Sequence, residues 1–374
     1  MATKSPLSRA KRVGRPKQAS ARKKAVSAGA RDESSAILRR APKEVLPSFV
    51  PPELATRVDH APVGDEWVHE IKLDGYRILA RKDGTKVSLL TRNNLNWSTK
   101  AASLASAVKG LPCKSAFLDG EWVVLDENGV STFQHLQQFM RLEDESAESV
   151  YFAFDLLHLN GRNLRSLPLL ERKLLLEQLL AESKDTGIRY SEHVVGNGPE
   201  MFQAAEEQKL EGIISKRANA AYLSGRTKDW LKIKCDNRQE FLILGFTVSS
   251  NDKRSIGALL LGVTSGGKLR YSGKIGTGFS ESVRKQLFQQ LTKIKVESSP
   301  VTTRVAGATW VKPTYIAQVA FRELTNEGLI RQGVFHGIRE DLSPKDVGIE
   351  PVLKTESALS TKGQATPKRG KKKR

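Results

Sequence analysis

The sequence predicts an α+β protein: a mixed domain of antiparallel strands and helices, then a small β-barrel. Three observations carry that expectation. Between residues 48 and 237, strand-length apolar runs alternate with helix-length amphipathic ones. Between 238 and 353, short strand-like runs separated by Asn, Asp, Gly and Ser surround one helix, a pattern that suits an OB-fold barrel. Outside these spans, 1–47 and 354–374 are rich in Ala, Ser, Lys, Arg, Gly and Pro and poor in aromatics, so both are expected to be disordered tails.

The elements follow in order. Pro47, Pro51 and Pro52 close the N-terminal tail, and Trp67–Ile71 reads as a short strand. Tyr76–Arg81 and Lys86–Thr91 flank Lys82-Asp83-Gly84-Thr85, a hairpin with a Gly-containing turn. Ser98 or Thr99 would cap a helix running to Val108. Phe117–Leu118 and Glu121–Leu125 read as strand, ended by the turn at 126–129, and Tyr151–Leu157 is an apolar strand interrupted by Asp155. Leu169–Ala181 is helical, with Leu on one face and Glu171, Arg172 and Glu177 on the other. A second helix spans Pro199–Gln208, and Gly212–Ser215 and Trp230–Lys234 are short strands. Beyond a boundary near Asn237 come strands at Phe241–Thr247, Ser255–Val263 and Leu269–Ile275, a helix at Glu281–Ile294 and a strand at Tyr315–Arg322.

Composition narrows the function classes. The chain has 374 residues, 39% of them hydrophobic, which is ample for two cores. It holds no apolar run of about 18 residues, so a membrane span is not expected. The first 17 residues are charged without an apolar stretch, unlike a secretory signal. Cys113 and Cys235 form no CxxC pair and the six His are scattered, which argues for a reduced cytoplasmic setting and against a zinc site. The net charge of +20 is concentrated at the ends. Residues 1–45 hold 13 Lys and Arg against 3 Asp and Glu, and 354–374 hold 8 against 1. Such tails bind polyanions by releasing counterions, without reading sequence. Gly14-Arg15-Pro16, flanked by Lys11, Arg12 and Lys17, has the form of an AT-hook core.

The strongest local motif is Glu70-Ile71-Lys72-Leu73-Asp74-Gly75-Tyr76-Arg77. A lysine stands between a strand and a Gly-containing turn, with a carboxylate two positions on. Lysine is a nucleophile only when deprotonated, so its neighbours must disfavour its charge. Lys232 and Lys234 share one face of their strand. They would bind a phosphate and lower the pKa of a nearby amine. Glu121 and Glu211 are hard oxygen ligands suited to Mg²⁺ beside a nucleotide. Phe154 is either core or a platform for a base.

Lys72, Arg92, Glu121, Phe154, Glu211 and Lys232/Lys234 occur in the order and approximate spacing of the covalent nucleotidyltransferases, which comprise DNA ligases, RNA ligases and mRNA capping enzymes. The chain resembles the ATP-dependent DNA ligases over residues 48–353, most of all the ligase domain of bacterial ligase D and its stand-alone relatives. Supporting stretches are YFAFDLLHLNGR (151–162), EGIISKR (211–217), YLSGRTKDWLKIK (222–234), YSGKIGTGF (271–279), WVKPTYIAQVAFR (310–322) and FHGIRED (335–341). The resemblance implies an adenylation domain over 48–237 and an OB-fold domain over 238–353. It implies that Lys72 takes AMP from ATP with Mg²⁺ or Mn²⁺, that the AMP passes to a nick in duplex DNA, and that the setting is DNA repair or recombination. Glu70 would accept from the adenine amino group, and Ile71, Arg77, Arg92, Phe154 and Lys216 would contact the nucleotide. Glu121 would hold the ribose or a metal shell and Glu211 the metal. Lys232 and Lys234 would grip the α-phosphate, Asp74 would belong to the catalytic group, and Arg339 and Asp341 would orient the leaving pyrophosphate. A bacterial protein of this kind would work near the nucleoid as a monomer, with the end-binding protein Ku as a partner in the family.

One departure stands out. The family commonly has Arg-x-Asp-Lys where this chain has Arg339-Glu340-Asp341-Leu342. Lys345 or Lys312 could replace the missing cation. Two alternatives keep part of the pattern: an RNA ligase or other nucleotidyltransferase, and a non-catalytic DNA-binding scaffold. A capping enzyme would need Glu70 to face the O6 acceptor of guanine, which repels it.

Overall fold

A computed structural model of the chain describes residues 28–127, 129–142, 149–183, 187–325 and 327–360. The elements in chain order are α1 (Ala28–Arg40), β1 (Glu53–Arg57), β2 (Trp67–Ile71), β3 (Tyr76–Asp83), β4 (Lys86–Thr91), α2 (Ala102–Lys109), β5 (Ser115–Val124), α3 (Phe133–Leu142), β6 (Ser149–Leu159) and β7 (Arg162–Asn163). There follow α4 (Leu169–Ala181), β8 (Ile188–Tyr190), β9 (Val194–Val195), α5 (Gly198–Glu207), β10 (Gly212–Arg217) and β11 (Gly225–Lys234). The remaining elements are β12 (Asn237–Val248), β13 (Ile256–Ser265), β14 (Lys268–Ile275), α6 (Glu281–Thr292), β15 (Ala308–Trp310), β16 (Ile316–Phe321), β17 (Glu323–Leu324), β18 (Ile330–Arg331), β19 (Val334–Ile338) and α7 (Thr355–Leu359).

Two sheets make the first domain. One is ordered β4-β3-β5-β6-β7 with β8 on β6, and the other β1-β11-β10-β2-β9. All pairs are antiparallel except β1 with β11 and β6 with β8. Tyr76, Ile78 and Ala80 alternate along β3 into a core that also takes Leu118, Trp122, Tyr151 and Leu176. The third sheet, β14-β13-β12-β16-β19 with β15 on β12, folds around Phe241, Ile243, Phe246, Leu261, Val319 and Phe335. Its path has open ends, but a bridge from Thr277, just beyond β14, to Val334 on β19 curls it toward closure. Ser280 caps α6 by accepting from the Val283 amide (3.3 Å), and Leu287 and Leu291 turn the helix onto this sheet. The whole is a mixed domain of two sheets and helices followed by a barrel-like β domain, as the sequence predicts.

Three expectations need correction. The N-terminal tail contains a packed helix: α1 buries Ile37 in the first core, and Arg40 pairs with Glu171 at 2.8 Å. At the other end, the tail's first residues are structured: α7 buries Ala358 against β10 and β11 residues. The AT-hook-like Gly14-Arg15-Pro16 lies outside the described residues. On α4, Arg172 is fully buried rather than turned outward, because its guanidinium meets Asp155 in a two-bond pair (2.7 and 2.8 Å). Lastly, α2 begins at Ala102 with no side-chain cap, since Ser98 Oγ accepts instead from the Leu89 amide and donates to Asn96.

Candidate active site

The register between β2 and β10 sets the position of Lys72. Ile71 pairs with Ile213, so the next step along β2 carries the chain past Gly212 toward Glu211. The Lys72 amide donates to the Gly212 carbonyl at 2.9 Å, and Lys72 Nζ donates to Glu211 Oε2 at 2.6 Å. Gly212 has φ +143°, and a Cβ there would strike the Ile233 carbonyl of β11. Gly75 is required for a similar reason: a Cβ would collide with the Trp122 carbonyl of β5. The strand–turn around Lys72 is thus pressed between both sheets.

Lys72 opens into a cavity of about 790 Å³ between the sheets and the barrel. Its lining brings together Glu70, Ile71, Asp74, Arg77, Arg92, Glu121, Phe154, Glu211, Lys216, Lys232, Lys234, Arg339 and Asp341, every site residue singled out in the sequence. They enter from β2, the β2–β3 turn, β3, the residue after β4, β5, β6, the residue before β10, β10, β11 and the segment after β19.

The electrostatics differ from the sequence expectation in one respect. Lys72 is held above the ordinary lysine pKa, not below it: burial pulls it down, but Glu211, Glu121 and Asp74 together outweigh burial. Lys232 and Lys234 do not reverse this: Lys232 pairs with Glu350, and Lys234 stands 4.0 Å from the same Glu211 carboxylate that holds Lys72. Lys232 Nζ lies 2.7 Å from Glu350, and Lys234 Nζ donates to the Arg238 carbonyl at 2.7 Å. Lys232 is itself lowered to about 8 by burial and by Lys234. Glu121 is raised to about 8 by burial, and its side chain makes no hydrogen bond or ion pair among the described residues.

Several predicted residues are committed to protein partners. Glu70, on the cavity floor, accepts from Lys173 (2.7 Å), Lys216 (2.9 Å) and Ser191 (3.0 Å). Arg77 gives two bonds to Asp119 and one to the Glu53 carbonyl (2.7 Å), with its guanidinium 5.2 Å from the Phe154 ring centre. Phe154 sits edge-on to Trp230. Arg92 reaches Asp346 at 3.6 Å. Arg339 pairs with Asp341 through two 2.8 Å bonds and lies over the rings of Phe133 and Tyr76. Asp74 faces the barrel, where it accepts from Arg238 and from Gln318 (3.4 Å).

Sequence reasoning missed Lys173, Arg238 and Glu350. Lys173 sits in a Leu-rich helix beside a residue assigned to the wrong face. Arg238 falls on the domain boundary, and Glu350 is in a segment with no motif.

Among the described residues, no three His, Cys, Asp or Glu side chains gather to hold a metal by themselves. Glu121 and Glu211 fit a different arrangement, in which one or two carboxylates and substrate phosphate oxygens share Mg²⁺. The unpartnered Glu121, protonated to about pH 8 without a cation, is a group that such an ion would satisfy.

The family pattern described as "ATP dependent DNA ligase domain" matches residues 52–234, and "ATP dependent DNA ligase C terminal region" matches 252–342. The multifunctional non-homologous end joining protein LigD of Pseudomonas aeruginosa is 40% identical over 313 residues, 82% of this chain and 37% of the relative. Its counterpart in Mycobacterium bovis is 34% identical over 289 residues, 75% of this chain and again 37% of the relative. The chain thus spans little more than a third of these relatives. Among solved structures, mycobacterial DNA ligase D complexed with ATP and MES superposes with a TM-score of 0.59 at 32% identity, covering 80% of this chain and 97% of that one. With both family patterns matched in order around the Lys72 cavity, the chain belongs to the ATP-dependent DNA ligases.

Proposed function

We propose that this chain seals nicks in duplex DNA, using ATP and carrying AMP covalently on Lys72. The observation that carries this reading is the Lys72 amine, hydrogen-bonded to Glu211 at 2.6 Å, in a cavity that also receives Lys232, Lys234, Arg92 and Arg339. The neutral amine attacks the α-phosphorus of ATP. A P–N bond forms, the bond to the bridging oxygen breaks, and pyrophosphate leaves. The 5′-phosphate of the nick then attacks the same phosphorus and releases Lys72. Last, the 3′-hydroxyl attacks the 5′-phosphorus and expels AMP.

The residues position and neutralise, which is most of what phosphoryl-type transfer requires. Glu211 orients the amine and is placed to take its proton. Lys232 and Lys234 face the transferred phosphate, and Arg339 approaches from the barrel side toward the leaving group. Glu121 and Glu211 would hold a divalent cation, which would supply charge neutralisation and weaken the pull of those carboxylates on the ammonium of Lys72. Because Glu211, Glu121 and Asp74 hold Lys72 above the ordinary lysine range, its proton must leave to Glu211 before attack.

The test is label transfer from α-³²P-ATP with Mg²⁺, or Mn²⁺ in parallel, followed by nick sealing on duplexes carrying DNA or RNA strands. The proposal expects a labelled protein band, absent in Lys72→Ala and with labelled GTP, and sealing of DNA. Neither labelling nor sealing by the wild type would overturn it. The names of the LigD relatives place those proteins in non-homologous end joining. We extend that setting to this chain as a monomer near the bacterial nucleoid, with a Ku-type end-binding partner. Failure of purified Ku to stimulate end joining would refute the partnership.

A further inference from the structure

After the barrel, the chain turns back across the cavity mouth. Gly348 is fixed to the barrel, bridged to Thr264 and accepting from Gln239 (3.3 Å). Five residues later, Leu353 is fixed to the first domain: its amide donates to the Arg57 carbonyl (3.0 Å), and its carbonyl accepts from Asp59 (3.1 Å). Thr355 adds bonds to Asp59 and His60, and α7 buries Ala358 beside Ile213, Leu231 and Ile233. The strap between the two anchors leaves Ile349 and Val352 about half exposed. Its one inward ionic contact is Glu350. That carboxylate lies 2.7 Å from Lys232 Nζ and 3.0 Å from Arg226 NH1, with the Glu350 side chain 19% exposed.

Two cations of β11, six residues apart, therefore converge on one anionic group at the edge of a phosphate-handling cavity. Lys232 is already assigned to the nucleotide phosphate in the reading above; Arg226 has no role there. A carboxylate has the charge and oxygen geometry of a small part of a phosphate, and a guanidinium with an ammonium is a donor set suited to either. The register of β11 against β1 places a shift between Ala55 and Thr56, so the Arg226 and Lys232 segments of β11 both stay paired to β1 across an irregular stretch. That irregularity lets residues six apart reach one anion.

We propose that Arg226 and Lys232 form a phosphate-oxyanion subsite at the cavity mouth, and that Glu350 on the C-terminal strap fills it in cis until a substrate phosphate displaces it. The inference rests on the ligase reading for the identity of the substrate. A tethered carboxylate competes at high local concentration, so the subsite is filled whenever the strap is docked. Displacing Glu350 removes the strap's ionic contact at its midpoint while its ends stay pinned by backbone bonds. Two substrate phosphates share this chemistry, the triphosphate of ATP and the 5′-phosphate of a nick.

The test compares wild type, Glu350→Gln, Arg226→Ala and the double variant as full-length proteins, each first checked for folding by circular dichroism. Binding of pyrophosphate and of a non-hydrolysable α,β-methylene ATP reads the nucleotide arm. Binding of a nicked duplex with a 5′-phosphate, against the same duplex with a 5′-hydroxyl, reads the DNA arm. The proposal expects Glu350→Gln to bind about fivefold more tightly in at least one arm, and expects Arg226→Ala to abolish that gain. Gain with pyrophosphate or the ATP analogue assigns the subsite to the nucleotide. Gain restricted to the 5′-phosphorylated nick assigns it to the DNA. Unchanged or weaker binding in both arms overturns the proposal and leaves Glu350 as a structural partner of Lys232. These are affinity measurements, independent of Lys72 chemistry, so a protein that fails label transfer while passing here would refute the ligase reading alone.

Discussion

Glu121 shows how a site residue can oppose stability. Its carboxyl is pushed up to about 8, above its ordinary 4.5, because partial burial against the cavity wall disfavours the ionised form and no hydrogen-bond donor among the described residues compensates. The folded state therefore holds the proton more tightly than the unfolded chain. This contribution is complete below about 4.5 and is lost as pH rises toward 8. Glu121→Gln should raise the melting temperature at pH 8 without divalent ions, by roughly 1–3 kcal/mol in stability, and change little near pH 4.5. Equal effects at both pH values would disprove this account. The same variant should lose metal-dependent adenylation. At the departing motif, Leu342 packs toward the barrel core while Lys345 lies exposed on the cavity rim; Lys312 is not in the lining. Lys345 makes no ion pair among the described residues. We expect Lys345→Ala to slow lysyl-AMP formation about tenfold and Leu342→Lys to offset that loss. Rapid-quench label transfer decides, and an unaffected rate in Lys345→Ala would remove Lys345 from the mechanism.

At the scale of elements, α4 links the cavity floor to the core. Arg172 and Lys173 point inward on adjacent positions, one to Asp155 and the other to Glu70. The two pairs fix β2 and β6 to one helix, and so fix the floor beneath Lys72. Removing one partner strands a buried charge. Asp155→Ala should therefore cost about 3–5 kcal/mol, far more than an exposed pair such as Lys285–Glu281. Chemical denaturation measures it, and a loss below about 1 kcal/mol would mean that water reaches Arg172. The first helix contributes by packing instead. Ile37 is 4% exposed in the first core, so Ile37→Ala should lower stability by about 2–4 kcal/mol. An unchanged midpoint would show that α1 is only loosely attached.

Across the whole molecule, the barrel is closed over the cavity by polar contacts rather than by a broad apolar seam. Asp74 holds Arg238 and Gln318, Asn93 holds the Asp341 carbonyl (3.0 Å) and Asp346 (2.8 Å), and Gln137 donates to the Ile338 carbonyl. Lys100 meets Glu340 at 2.8 Å. Such a seam brings Arg339 to the cavity, and under the proposed function it must part for duplex DNA to reach Lys72, a gating step of the kind that paces many enzymes. The Asp74–Arg238 pair is the central latch, since Asp74 is two residues from Lys72. Arg238→Ala should enlarge the radius of gyration in X-ray scattering and slow adenylation more than the sealing of pre-adenylated nicks. A scattering profile identical to wild type would disprove the latch.

The sequence by itself determined the local pieces: the strand before Lys72, the hairpin after it, the α4 span, and the order of motifs that marks the family. These depend on neighbours a few residues apart, through side-chain periodicity and turn chemistry. Only the tertiary structure decided the charge on Lys72, because that depends on which carboxylates the β2–β10 register and the sheet packing bring to it. It also decided that Arg172 and Lys173 face inward, since partners 17 and 103 residues away override the helical pattern. The same holds for α1, whose polar composition resembles a solvated tail, and for the Glu350 strap, whose Ile-Glu-Pro-Val run carries no motif. Ile37 and the Arg40–Glu171 pair hold α1, while backbone bonds at Leu353 and the Glu350 contacts with Lys232 and Arg226 hold the strap; all join residues far apart in the chain, and no local pattern records such contacts.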